Sequence, residues 1–168
     1  RYPDAQEGEL TKIKSAVDGG CHEVTHGLFA SQGTLDLMAA RGTWFQPQCE
    51  LIFTNYLGNR AKYDGIGNYN AEGFAVMEKM LPVAPEVIRK ALATKGLKVT
   101  YGTDAVAGAH GKNAEDMVCR VQKSGEAPMH VIMSATSVNA DALGLGSRIG
   151  SIASGYDADI IAVDGDPI

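Results

Sequence analysis

A chain of 168 residues, 45% hydrophobic and 21% charged, is long enough to bury one core and carries no signature of disorder. Its net charge of −5, with Lys and Arg spread thinly, excludes a basic stripe for a nucleic-acid backbone and argues against an anionic membrane as partner. No apolar run reaches the ~18 residues of a spanning helix, and Arg1 to Leu10 are too polar for a signal peptide, so any such peptide lies elsewhere; the compartment stays open, with the cytoplasm favoured.

Glu9 to Val17 places Leu10, Ile13, Ala16 and Val17 on one helical face, and Gly19-Gly20 ends that helix. Cys21 to Thr25 then reads as a strand closed by His26 and Gly27. Thr34 to Arg41 repeats the helix pattern before Gly42, and Thr43-Trp44-Phe45 forms a second strand that runs into Pro47, with Trp44 and Phe45 as strand core. Thr54 to Asn70, rich in Gly, Asn and Tyr, is expected to be a long loop where a substrate lid could sit. Pro85 opens a helix over Glu86 to Thr94, and Leu97 to Thr103 is the third strand, closed by Asp104. Two helices follow, Ala114 to Lys123 and Pro128 to Leu143. Ile149 to Val163 reads as a small β element around the turn Ser154-Gly155-Tyr156-Asp157.

Helix then strand, three times over, implies parallel strands with right-handed crossovers. A doubly wound sheet and a (β/α)8 barrel both satisfy that order, but no GxGxxG follows a strand, so the dinucleotide version has no support. A whole barrel takes ~250 residues, and three strands alone leave open edges and a bare inner face. The chain also begins with Arg rather than Met, as a processed chain or a piece of a longer one does.

A lone imidazole and a lone carboxylate at strand ends point to the mouth of a parallel sheet, where α/β enzymes keep their chemistry. His26 and Asp104 are therefore the candidate metal pair. Taken singly, His26 also fits a hydrogen-bonded strand-end histidine, and Asp104 a turn cap. His22-Glu23-Val24-Thr25-His26 also matches HExxH, the signature of zinc metallopeptidases. That motif needs one helical face, whereas these residues lie between Gly19-Gly20 and Gly27 and include strand-preferring Val24 and Thr25; on a strand the two histidines stand ~13 Å apart. His110 is open between a contact to a substrate carboxylate and a surface loop position, Tyr101 between site and scaffold, and His130 reads as structural. Cys21, Cys49 and Cys119, odd in number and widely spaced, argue against a disulfide framework and are expected as buried thiols.

Gly102-Thr103-Asp104, His110-Gly111 with Asn113 and Glu115, the helix holding Ser134-Ala135-Thr136, Leu143-Gly144, Gly150-Ser151-Ile152 and Gly155 to Ile168 (GYDADIIAVDGDPI) resemble the C-terminal half of the metal-dependent amidohydrolases. Their order is most similar to the Xaa-Pro dipeptidase and imidazolonepropionase branch. Upstream, Gly20 to Gly27 (GCHEVTHG) with Thr34 to Met38 and Gly42 resembles the sixth barrel strand and the helix after it. The resemblance implies an α/β fold in which residues 1–149 form the C-terminal part of a (β/α)8 barrel and 150–168 return to a small β-sandwich. It implies one or two divalent ions, zinc by expectation, at the barrel mouth, with His26 as sixth-strand ligand and Asp104 as eighth-strand ligand and proton shuttle. It further implies hydrolysis of C–N amide bonds in dipeptides or cyclic amides, with His110 and Tyr101 as substrate-binding candidates. The family's His-x-His, its bridging lysine and its fifth-strand His have no counterpart here, so the chain is expected to need an N-terminal half or another chain, and a homo-oligomer is compatible. A second class of reading is a non-catalytic subunit that completes its barrel with another polypeptide.

Overall fold

The computed structural model describes residues 3–157, 159–166 and 168. The elements run α1 (Pro3–Asp18), β1 (Glu23–Thr25), α2 (Gln32–Arg41), β2 (Trp44–Gln46), α3 (Leu51–Gly58), α4 (Arg60–Tyr63), α5 (Ala71–Met80), α6 (Val83–Ala93), α7 (Ala114–Ser124), α8 (Pro128–Ala135) and α9 (Ser137–Ala142). β1 and β2 pair in parallel with Val24 opposite Phe45, and residues 98–100 extend the sheet on the far side of β2 through a parallel bridge between Phe45 and Val99. The three segments therefore lie side by side in chain order, as helix-strand alternation requires.

One face of this sheet is apolar and covered. Ile13 and Val17 from α1, Leu35 and Met38 from α2, and Val87 and Ala91 from α6 close over Val24 and Phe45. Full burial of a side chain of this size contributes roughly 1.5–3 kcal/mol, and Leu35, Met38 and Phe45 are wholly inaccessible. The opposite face carries polar side chains beside Trp44. There the Thr100 hydroxyl donates to Glu23 Oε1 (2.7 Å) and Gln46 Nε2 donates to the same oxygen (3.4 Å), a tie across all three segments.

The third strand is shorter than Leu97 to Thr103. Phe45 N–H donates to the Lys98 carbonyl and Thr100 N–H to the Phe45 carbonyl, and the next rung would need a donor at position 47. Position 47 is proline, which has no N–H. Arg120 Nη1 donates to the Thr100 carbonyl in its place (3.0 Å), and the Asn139 carboxamide pairs with both the N–H and the carbonyl of Tyr101 (3.0 and 2.8 Å).

Several other expectations change. Residues 54–70 are not a long loop: α3 and α4 occupy 51–63, and Tyr56, Tyr63 and Tyr69 pack ring against ring at 4.5–5.9 Å. Thr54, Asn55, Gly58 and Asn59 are poor helix formers, so local preference hides a helix that a distant residue starts. Asp116 caps α3, accepting the backbone N–H groups of Cys49 (2.8 Å), Glu50 (2.9 Å) and Leu51 (2.7 Å). α6 begins at Val83, before Pro85, because the first turn of a helix has no internal partner for the missing N–H. The single helix expected over Pro128 to Leu143 divides at Thr136, whose hydroxyl donates back to the Ile132 carbonyl (2.7 Å).

The cysteines were expected as three buried thiols. Cys49 and Cys119 instead form a disulfide across 70 residues, with Cα atoms 6.2 Å apart, and Cys21 is free and exposed. An odd count hid a pair that only the packing of α7 against the start of α3 brings together. Residues 149–163 hold no strand among the described residues. Turns joined by Asp157 N–H to the Arg148 carbonyl (2.8 Å) and Tyr156 hydroxyl to the Gly146 carbonyl (2.9 Å) occupy this stretch, with Ile152, Ile160, Ile161 and Val163 exposed. A strand needs a neighbour for its ladder, and no described strand lies beside these residues.

Candidate active site at the strand ends

The ladder between β1 and β2 persists one residue beyond β1, where His26 N–H donates to the Gln46 carbonyl (3.0 Å). The backbone then turns sharply. His26 has φ 66° and Asp104 has φ 47°, and these are the only non-glycine residues with positive φ among the described residues. Each such residue costs about 1–3 kcal/mol and persists only where its surroundings over-determine it. Both strained positions are the candidate metal pair of the sequence analysis.

The two side chains come together. His26 Nε2 lies 3.8 Å from Asp104 Oδ2, with the side chains 55% and 47% exposed. At 3.8 Å the pair is too long for a hydrogen bond. Two ligands at ~2.1 Å from one tetrahedral ion stand ~3.4 Å apart, so the observed separation suits two donors to a shared cation. Imidazole nitrogen and carboxylate oxygen are both ordinary donors to zinc. No set of three or more His, Cys, Asp or Glu side chains able to hold a metal occurs among the described residues, so the chain supplies two donors where a tight site takes three or four.

The strand expected over these residues is present, and with it the case against HExxH holds. Glu23 to Thr25 is strand, not helix, and the two histidines occupy its opposite ends. His22 Nε2 is hydrogen-bonded to the Ala142 carbonyl (2.8 Å), and the Glu23 carboxylate is taken up by Thr100 and Gln46. Space for this network comes from Gly102, where a Cβ would sit 2.3 Å from Gln46 Oε1.

Tyr101 is half-buried scaffold in this arrangement: its hydroxyl donates to the Asn113 carbonyl, and its ring lies 5.5 Å from the Arg120 guanidinium carbon. Burial, with the Asp116 carboxylate nearby, pushes its phenol well up. His110 stands exposed in the turn over 107–111, in the loop after Asp104. His130 is exposed on α8, where it lines an open groove with Trp44, Leu97 and Lys98. Trp44 and Phe45 are buried as expected.

Sequence reading missed the packed cluster of Tyr56, Tyr63 and Tyr69. Burial pushes the Tyr56 phenol up to about 12, helped by a hydrogen bond with Tyr69 and by the charge of Asp104, which places this phenol in the carboxylate's field. The signal was present as tyrosines at 56, 63 and 69, spaced close to two helical turns, inside the stretch read as loop.

Comparison with known proteins identifies the family. The sequence pattern of the amidohydrolase family matches residues 5–168. Ochratoxinase of Aspergillus niger is 24% identical over 157 residues, which are 93% of this chain and 31% of that protein. Among solved structures, a Xaa-Pro dipeptidase with methionine bound in its active site is 31% identical with a TM-score of 0.77, over 95% of this chain and 38% of that one. An amidohydrolase gives a TM-score of 0.81 at 26% identity, over 94% of this chain and 36% of its own length. The chain thus spans about a third of the length of each of these three proteins.

Proposed function

The chain belongs to the amidohydrolase family, and we propose that it supplies the last three strands of a (β/α)8 barrel in a metal-dependent hydrolase of C–N amide bonds, acting on dipeptides or cyclic amides. The observation that carries this reading is the convergence of His26 and Asp104, both backbone-strained, to 3.8 Å at the carboxyl end of a parallel sheet. The open edge of β1 and the polar inner face of Glu23, Gln46 and Thr100 support a sheet that continues with further strands. In this reading residues 150–168 belong to a β-sandwich built with other chain segments.

His26 and Asp104 would hold the metal, one or two ions with zinc favoured, together with donors from elsewhere in the barrel. A divalent ion supplies polarisation of the amide carbonyl and water made acidic near neutral pH. Asp104 takes the proton of the attacking water and delivers it to the leaving nitrogen as the C–N bond breaks. Its half-exposed carboxylate and fixed backbone let it serve both steps without moving the chain. His110 is assigned to a substrate carboxylate at the mouth, whereas the engaged hydroxyl of Tyr101 suits the loop's scaffold. The Cys49–Cys119 disulfide favours an oxidising compartment over the cytoplasm.

The test is Asp104→Asn in the full-length protein loaded with zinc. Turnover of Xaa-Pro and other dipeptides should fall by about 10²–10⁴-fold with the melting temperature nearly unchanged, and near-normal kcat would remove Asp104 from the mechanism. The open sheet edge also favours a second reading, a subunit that completes its barrel with another polypeptide. Native mass measurement with metal analysis separates the two, since no bound metal in a lone folded 17.7 kDa species favours the second, non-catalytic reading.

A further inference from the structure

We infer that Asn55 and Tyr63 are positioning residues for Asp104: they clamp the Ala107 carbonyl from two sides and so hold the loop whose first residue carries the site's carboxylate. This rests on the reading of Asp104 as metal ligand and proton shuttle. Asn55 Nδ2 donates to the Ala107 oxygen at 3.0 Å and the Tyr63 hydroxyl donates to the same oxygen at 2.5 Å. Both donors come from the α3–α4 segment, remote in sequence from the loop they grip. Asp104 itself sits at φ 47°, a conformation that needs external restraint, and a doubly held carbonyl three residues on is a restraint of the right kind.

The loop is shaped to be gripped. Gly108 has φ 84°, and a Cβ there would lie 3.1 Å from the Tyr63 hydroxyl and 3.4 Å from Asn55 Oδ1, so the loop approaches its clamp closely only as glycine. At its base, Asn113 Nδ2 donates to the Thr103 hydroxyl (2.8 Å), closing the segment that contains Asp104. The clamp is rigid too. Asp116 and the Cys49–Cys119 disulfide anchor the start of α3, and Tyr63 packs edge-on against Tyr56 at 4.8 Å. Asn55 Oδ1 is buried with no hydrogen-bond partner among the described residues. An unpaired buried acceptor opposes folding, so stability alone does not explain an asparagine here, whereas its N–H donor toward Ala107 does.

Tyr63→Phe removes only the hydroxyl and keeps the ring packing, and Asn55→Leu removes the second donor. In the full-length protein, amide hydrogen exchange at residues 105–108 should quicken about tenfold in either variant while α2 stays unchanged. With zinc saturating, kcat should fall about 10- to 100-fold with KM within about twofold, as expected when a catalytic group is displaced without loss of substrate contacts. Unchanged exchange at 105–108 in both variants overturns the inference. So does faster exchange with unaltered kcat, or an equal rise in α2, which marks general destabilisation. Failure of the underlying reading looks different: Asp104→Asn then retains turnover, whatever the loop exchange shows.

Discussion

Two groups of charged side chains in this molecule stand in opposite relations to solvent. At the strand ends, His26 and Asp104 are half-exposed, 3.8 Å apart without a hydrogen bond between them, and held on strained backbone. Behind the sheet, Asp116, Arg120 and Glu126 are almost completely buried and engaged with one another's surroundings. Arg120 Nε pairs with Glu126 Oε2 at 2.6 Å and its Nη1 serves the Thr100 carbonyl, while Asp116 takes up three backbone N–H groups. Charges whose partners are internal build scaffold. A charge pair left short of partners, on a backbone that must be forced into place, is what a ligand completes.

The comparison breaks most visibly at Arg120. Arg120→Met should destabilise the fold by about 3–5 kcal/mol, because Glu126 is left buried and unpaired, and the double change Arg120→Met with Glu126→Met should restore much of it. Urea unfolding of the four proteins measures this. Additive losses in the double variant would show that the two side chains do not act as a pair. The same truncation at the rim, His26→Ala, should leave stability within about 1 kcal/mol, since an exposed pair contributes little.

A smaller effect is expected at the disulfide. Closing a loop across 70 residues constrains the unfolded chain, and reduction or Cys119→Ser should lower stability by about 2–4 kcal/mol. Because Cys49 adjoins the Asp116 cap of α3, the loss should appear as local opening of α3 before the sheet yields. Hydrogen exchange that opens the sheet first would place the brace outside the α3–α7 contact.

These two regions also mark what could and could not be read from residues alone. His26 and Asp104 were legible because each ends an apolar run, a pattern confined to a few consecutive positions. Pro47 already held the reason why the third strand is short, but only pairing with residues 98–100 reveals which rung it removes. The brace left no local trace. Asp116 caps a helix whose first residue lies 65 positions upstream, and Cys49 finds Cys119 only after α7 has packed. α3 itself was hidden because Thr54, Asn55 and Gly58 argue against helix on their own, and the cap that outweighs them is tertiary. Glu23 shows why a motif match needs its backbone, since HExxH would give chemistry to a carboxylate that the sheet uses as a tie between strands.

A pH-dependent effect is expected where the two regions meet, at Tyr56. Its phenol is buried beneath the loop clamp, within the field of Asp104, and is pushed from the ordinary 10 up to about 12. A raised tyrosine pKa means that the folded protein holds this proton more tightly than the unfolded chain does. Below pH 10 both states are neutral and the phenol's contribution to stability is fully present; between pH 10 and about 12 the unfolded chain ionises first, and stability falls with rising pH. The loss attributable to this one group is about 2 kcal/mol. Tyr56→Phe should flatten that part of the stability profile by the same amount, measured by urea unfolding at pH 9 to 12. An unchanged slope would mean that Tyr56 is not held neutral in the fold, and the aromatic cluster would then lose its link to the Asp104 rim.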